Sequence, residues 1–138
     1  MTLEIREETE ADIHAIEALT IAAFMNAPHT SHTEHFIVNA LRKAAMLSVS
    51  LVGDDSDAVI GHVAASPVSV SDGAPDWYGI GPLSVAPERQ RHGVGSQLMR
   101  HVLLALPNVP RQYFQAISFR TSSPRGIVSY HVSFDAKD

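Results

Sequence analysis

The run Pro87-Glu88-Arg89-Gln90-Arg91-His92-Gly93-Val94-Gly95 joins two contrasting stretches. Before it, Trp77 to Val85 is apolar and aromatic; after it, Val94, Leu98, Val102 and Ala105 recur at helical spacing. A strand that passes through a glycine turn into a helix can hold an anion on its backbone. Two glycines one residue apart allow close approach, because no Cβ intervenes. The first amides of a helix have no partners within it. The macrodipole adds partial positive charge there, and Arg89 and Arg91 add whole charges. The chemistry implied is capture of a phosphate or pyrophosphate. A dinucleotide fingerprint is excluded: it needs a third glycine, where Leu98 stands, and an acidic residue about twenty positions on. A P-loop is excluded too, because no Gly-Lys-Ser/Thr follows.

Gln90-Arg91-His92-Gly93-Val94-Gly95 fits Gln/Arg-x-x-Gly-x-Gly/Ala, with a strand before it and a helix after it. On these residues the chain resembles the GNAT superfamily of N-acetyltransferases. The longer string WYGIGPLSVAPERQRHGVGSQLM resembles a YhbS-like subgroup of small bacterial members. The resemblance implies acetyl-CoA as co-substrate. Its pyrophosphate would lie on Gln90, Arg91, His92, Gly93, Val94, Gly95 and Ser96. Its amide-rich pantetheine arm would add to the preceding strand as a peptide does, with Leu83, Ser84 and Val85 as the bonding stretch. Amides there would stabilise negative charge on the thioester oxygen. The activity implied is acetyl transfer to a primary amine, of a small molecule or a protein, by direct attack. Such an amine titrates near a pKa of about 10.4 and must lose a proton first. The alternative is a CoA-binding or structural relic without turnover. A nucleotide-binding regulatory module is weaker, since no ribose-reading acid follows the glycines.

Around this turn the chain reads as β-α-α-β-β-β-α-β-β, an α+β domain with a mixed sheet spanning residues 1–138. Leu3 to Glu7 alternates as a short strand. Thr9 with Asp12, and Ser31 with Glu34, form capping-box patterns before two amphipathic helices. Leu47 to Val52 and Ala58 to Val70 form a hairpin around a Gly53–Asp57 turn, with a bulge near Pro67. Pro107 and Pro110 end the third helix, and Tyr113 to Phe119 and Ile127 to Phe134 are the last strands. The resemblance implies a further strand and helix after the pyrophosphate helix, carrying a tyrosine that protonates the departing thiolate. In this chain HVLLALPNVPRQYFQAISF passes from helix to final hairpin directly, so that segment is deleted. Tyr78, Tyr113 and Tyr130 do not occupy the tyrosine position, and no catalytic acid is carried over. A sheet short of a strand exposes an edge, which predicts a homodimer.

The 138 residues carry a formal net charge of −5 and no cysteine. The charge argues against broad nucleic-acid binding, which needs many basic residues on one face. The missing thiols exclude disulfides, a thiolate nucleophile and cysteine-based zinc sites. MTLEIREETEADIH has no signal-peptide core, and no apolar run approaches the roughly 18 residues of a membrane span. A cytoplasmic protein without membrane partners is expected. His29, His32 and His35 are spaced by three, yet Pro28 and the Ser31 cap put His29 outside the helix, so no metal is assigned. The resemblance implies that the first two helices shape the acceptor cleft, which makes His29, His32 and Glu34 candidate acceptor contacts. His62 reads as a half-buried strand histidine with a hydrogen-bond partner, in preference to a general base. Trp77-Tyr78 reads as packing, and Asp54-Asp55-Ser56-Asp57 as a solvated turn without the calcium-loop pattern.

Overall fold

The computed structural model describes residues 2–27, 32–70, 73, 77–106 and 128–130. In chain order these form β1 (Leu3–Glu7), α1 (Ile13–Phe24), α2 (Glu34–Lys43), β2 (Val49–Asp55), β3 (Ala58–Val70), β4 (Tyr78–Val85), α3 (Val94–Ala105) and β5 (Val128–Tyr130). The sheet runs β1-β2-β3-β4, and β5 pairs with the far end of β3, Val68 to Val70. Every pairing among the described residues is antiparallel. The architecture is α+β, as the sequence implies.

Strand alternation decides which helix covers which face. Leu51, Gly61 and Val63 point to the α3 side, where Leu98 and Val102 are fully buried. Val52 points the other way and packs with Ile16 of α1 and Val38 of α2. Among the described residues no helix is long and apolar enough to cross a membrane.

Four local expectations are corrected. The β2–β3 turn is only Ser56-Asp57, whose φ values of 51° and 69° give the doubly left-handed turn that suits a twisted hairpin. Asp54 and Asp55 remain in the strand because Arg6 takes the first carboxylate, while Arg89 and the Thr2 amide take the second. The β3 strand is bulged not at Pro67 but at Ile60, the extra residue between the pairs Gly53–Gly61 and Asp54–Val59, and β4 is bulged where Gly81 and Pro82 together face Ala64, between the pairs Val63–Leu83 and Ala65–Ile80. The second helix starts at Glu34 with Thr33 as its cap, since the Thr33 carbonyl accepts from the Phe36 and Ile37 amides; Ser31 lies outside the described residues. Finally, Ala105 is exposed and Leu106 closes the buried stripe of α3, because the backbone turns extended at Leu106. The expected capping bond of the first helix is present, with the Thr9 amide donating to Asp12 Oδ2 at 2.7 Å. The strand expected over Tyr113 to Phe119 lies outside the described residues.

His62 is fully buried, deeper than its sequence suggested. Its Nε2 lies 2.8 Å from Ser50 Oγ, and that hydroxyl also donates to Glu8, which Arg42 grips with two bonds of 2.8 and 2.9 Å. Burial raises the Glu8 carboxyl, but hydrogen bonds from His62, Arg42 and Ser50 outweigh it and hold the group well below the usual carboxylate range. Burial pushes the His62 pKa down, against the pull of Glu8. The unfolded chain then binds a proton that the folded chain refuses. Stability is full above about pH 6.5, the ordinary histidine value, and falls as the pH drops below it. The urea midpoint is expected to decrease from pH 7 to pH 5.5, and His62→Gln to flatten that segment of the profile.

Candidate functional site

The turn after β4 is built from backbone geometry. Pro87–Arg89 form a single 3-10 turn, the Arg89 amide donating to the Ala86 carbonyl at 2.8 Å. Arg91 then adopts a left-handed φ of 66°, and Gly93, the residue capping α3, one of 86°. A non-glycine residue at positive φ is held there by its surroundings at some cost. The first bond inside α3 runs from the Gln97 amide to the Gly93 carbonyl, 3.1 Å. The amides of Val94, Gly95 and Ser96 precede that bond and are the helix's unpaired donors. A Cβ built on Gly93 meets nothing within 4 Å, so the space over the turn is open.

Packing fixes where these amides point. Val94 is buried beneath the turn, with Leu98 and Val102 behind it. Gly61 on β3 lets the helix approach: a Cβ there would lie 2.8 Å from Leu98 Cδ1 and 2.9 Å from Val94 Cγ1. Sequence reasoning passed over Gly61. The available signal was a lone glycine inside a strand pattern, which marks a bulge or a close approach.

The strand edge beside the turn is also defined. The Ala86 amide donates to the Ile60 carbonyl on β3, 2.8 Å. Antiparallel alternation therefore turns the Ser84 peptide groups toward β3 and those of Leu83 and Val85 away from it. Among the described residues no strand pairs with that outer edge of β4. Gln90 reaches over it, its Nε2 donating to the Val85 carbonyl at 3.1 Å. Of the residues singled out in the sequence, Leu83, Val85, Gln90, Arg91, His92, Gly93, Val94, Gly95 and Ser96 thus gather around one turn and one edge. The Ser84 side chain faces the opposite way, 3.5 Å from Thr20 Oγ1 on α1. Arg89 does not add its charge to the turn, because Asp55 Oδ2 takes it at 2.6 Å. Arg91 and His92 are exposed beside the amides.

A recess of about 200 Å³ lies behind Ser84, between α1 and α2. His32 and Glu34 line it with Thr20, Ile21, Phe24, Met25 and His35, while His29 lies outside the described residues. A larger recess of about 480 Å³, bordered by Glu8, Arg42, Ser50 and Ala105, holds none of the turn residues. Tyr78 packs against the core, and Tyr113 lies outside the described residues.

With this geometry in hand, likeness to known proteins is informative. The model of the "Acetyltransferase (GNAT) family" matches residues 13–120. The chain is 36% identical over 96 residues to the uncharacterized N-acetyltransferase YhbS of Escherichia coli (strain K12), a match covering 69% of this chain and 54% of that protein. It therefore spans about half the length of the curated relatives it matches. A GNAT family acetyltransferase from Brucella melitensis, crystallised in complex with acetyl-CoA, is 34% identical with a TM-score of 0.84, covering 97% of this chain and 99% of that one. The Escherichia coli YhbS structure, solved in complex with CoA, is 25% identical with a TM-score of 0.79, covering 99% and 93%.

Proposed function

Because the chain belongs to the acetyltransferase (GNAT) family, we propose that it moves an acetyl group from acetyl-CoA to a primary amine by direct attack. One observation carries this reading: three unpaired amides, Val94 to Ser96, stand at a left-handed glycine turn beside an outward-facing strand edge. The diphosphate would sit on those amides, where peptide dipoles and Arg91 favour negative charge. The pantetheine arm would extend along β4, bonding the outward peptide groups of Leu83 and Val85 once Gln90 releases the Val85 carbonyl. Relatives crystallised with acetyl-CoA and CoA support the same assignment.

In the reaction, an amine nitrogen that has lost its proton to a base attacks the thioester carbon. A C–N bond forms, the C–S bond breaks, and the thiolate leaves with the electron pair and takes up a proton. No side chain is assigned the acid or the base. The amine enters through the recess at Thr20, whose hydroxyl touches Ser84 at the back of β4. A second copy of the chain is the proposed occupant of the outer β4 edge that the pantetheine arm leaves uncovered. Light scattering after size exclusion is expected to give twice the monomer mass; a single-chain mass at micromolar concentration contradicts the dimer.

Thiol release from acetyl-CoA, measured with and without an amine, tests the transferase reading. Amine-dependent release supports it. Acetyl-CoA binding without release for any amine assigns the chain to the relic alternative.

A further inference from the structure

We propose that His62 shuttles a proton during acetyl transfer, taking it from the attacking nitrogen and returning it to the departing thiolate through the hydroxyls of Thr20 and Ser84. This rests on the transferase reading above and supplies the acid and the base that reading leaves open. Three observations carry it. The first is an orphaned atom: His62 is fully buried, and its Nδ1 has no hydrogen-bond partner among the described residues. A histidine kept for packing alone is expected to have both ring nitrogens satisfied, because an unpaired buried polar atom is destabilising.

The second is how the ring is held. Ser50 gives its one hydrogen to Glu8, so its oxygen accepts from His62 Nε2 at 2.8 Å. Nε2 therefore carries the ring hydrogen, and Nδ1 presents a lone pair. The Glu8 carboxylate lies 3.8 Å from Nε2, where it favours the imidazolium that forms when Nδ1 accepts a proton. Among the described residues the charges acting on the ring are Glu8, just after β1, and Arg42 on α2, which opposes it. From β2, β4 and α1 come the neutral hydroxyls of Ser50, Ser84 and Thr20.

The third is where the orphaned atom stands. His62 and Ser84 are direct partners across β3 and β4, which sets their Cβ atoms about 5 Å apart on one face. Ser84 Oγ in turn lies 3.5 Å from Thr20 Oγ1, at the proposed entry of the amine. Hydrogen bonds that carry protons are often long until substrate binds.

Once the neutral amine bonds to the thioester carbon, its nitrogen holds one hydrogen more than the amide needs. That proton passes to Thr20 Oγ1, whose own hydrogen turns from the Ile16 carbonyl to Ser84 Oγ. The Ser84 hydrogen passes to His62 Nδ1, and the N–H electron pair stays on the amide nitrogen. As the C–S bond breaks, the imidazolium returns a proton along the same hydroxyls to the thiolate. Burial holds the His62 pKa below its ordinary value, about 6.5, whereas an ordinary thiol titrates near about 8.5, so the return is downhill.

The test measures acetylation by the parent, His62→Gln and Ser84→Ala. The acceptor is whichever of 2-phenylethylamine, spermidine and a peptide with a free N-terminus the parent acetylates fastest. Both variants are expected to lower kcat about a hundredfold, the size of a lost acid–base group, with acetyl-CoA affinity held within about threefold. Ser84→Ala keeps the His62 bonds and the β4 peptide groups, so it separates the relay from packing. The parent kcat is expected to fall from about pH 7.5 to about pH 5.5, because an imidazolium cannot accept a proton, and both variants to lose that limb. Parental kcat in either variant overturns the shuttle while leaving the transferase reading intact. So does a fall in kcat matched by an equal loss of acetyl-CoA affinity, or a pH limb that persists in both. A parent that binds acetyl-CoA yet acetylates none of the amines overturns the transferase reading, and the shuttle with it.

Discussion

Gly93→Val is expected to abolish measurable acetyl-CoA binding while leaving most of the fold in place. Gly93 sits at φ 86°, where a β-branched residue is strained. Left-handed backbone costs an ordinary residue about 1–2 kcal/mol, which lowers the melting temperature by roughly 5 °C in a domain of this size. The larger effect is on the ligand. A Cβ at this position meets no protein atom within 4 Å, so the side chain would stand in the open space over the amides of Val94, Gly95 and Ser96. Hydrogen bonds to a charged group contribute about 1.5–3 kcal/mol each. Losing two of them weakens binding more than about a hundredfold. Gly95→Ala is the control. Its Cβ would rest 3.7 Å from Val85 Cγ2 and 3.9 Å from Leu83 Cδ2, ordinary contact distances, and alanine suits a helix better than glycine. Titration calorimetry on the two variants should separate them: Gly95→Ala retains binding within about threefold. Equal affinity in Gly93→Val and the parent would contradict the assignment.

Gly61→Val is expected to cost both stability and cofactor affinity, although Gly61 lies on β3, under α3 and away from the open face of the turn. Any Cβ on Gly61 would come within 2.9 Å of both Leu98 Cδ1 and Val94 Cγ1, and both side chains are buried, so one of them or the backbone must shift. Overpacking of this kind costs about 1–3 kcal/mol. The strain is relieved by lifting the first turn of α3 from the sheet. That moves the Val94, Gly95 and Ser96 amides relative to the β4 edge, which the same ligand must span. Chemical denaturation is expected to show the stability loss, and calorimetry an affinity loss of about tenfold or more, since small displacements of positioning groups are amplified. A variant that loses stability but binds acetyl-CoA with parental affinity would show that helix placement and ligand capture are independent.

What could be read from the sequence is what local chemistry determines. The strand, turn and helix around Gly93 were legible because the glycines, the prolines and the apolar spacing lie within one short stretch. The α+β class followed from the same patterning. The errors arose where a distant residue decides the outcome. Gly53-Asp54-Asp55 looks like a turn until Arg6 and Arg89 pair the carboxylates and hold them in β2. Arg89 looks like a phosphate ligand until Asp55 claims it. The need for glycine at position 61 comes from a helix later in the chain and leaves no local trace beyond the residue itself. The depth of His62 reflects α1 and α2 closing over the sheet, which strand alternation does not reveal. His32 and Glu34 were reached only through family resemblance; the recess they share with Phe24 and Met25 needed the packed helices to appear.

The most direct test of the whole account is a crystal of this protein grown with CoA. The account predicts diphosphate oxygens within about 3 Å of the Val94, Gly95 and Ser96 nitrogens, and the pantetheine arm bonded to the outward peptide groups of Leu83 and Val85. A diphosphate bound elsewhere, with those three nitrogens facing solvent, would contradict it.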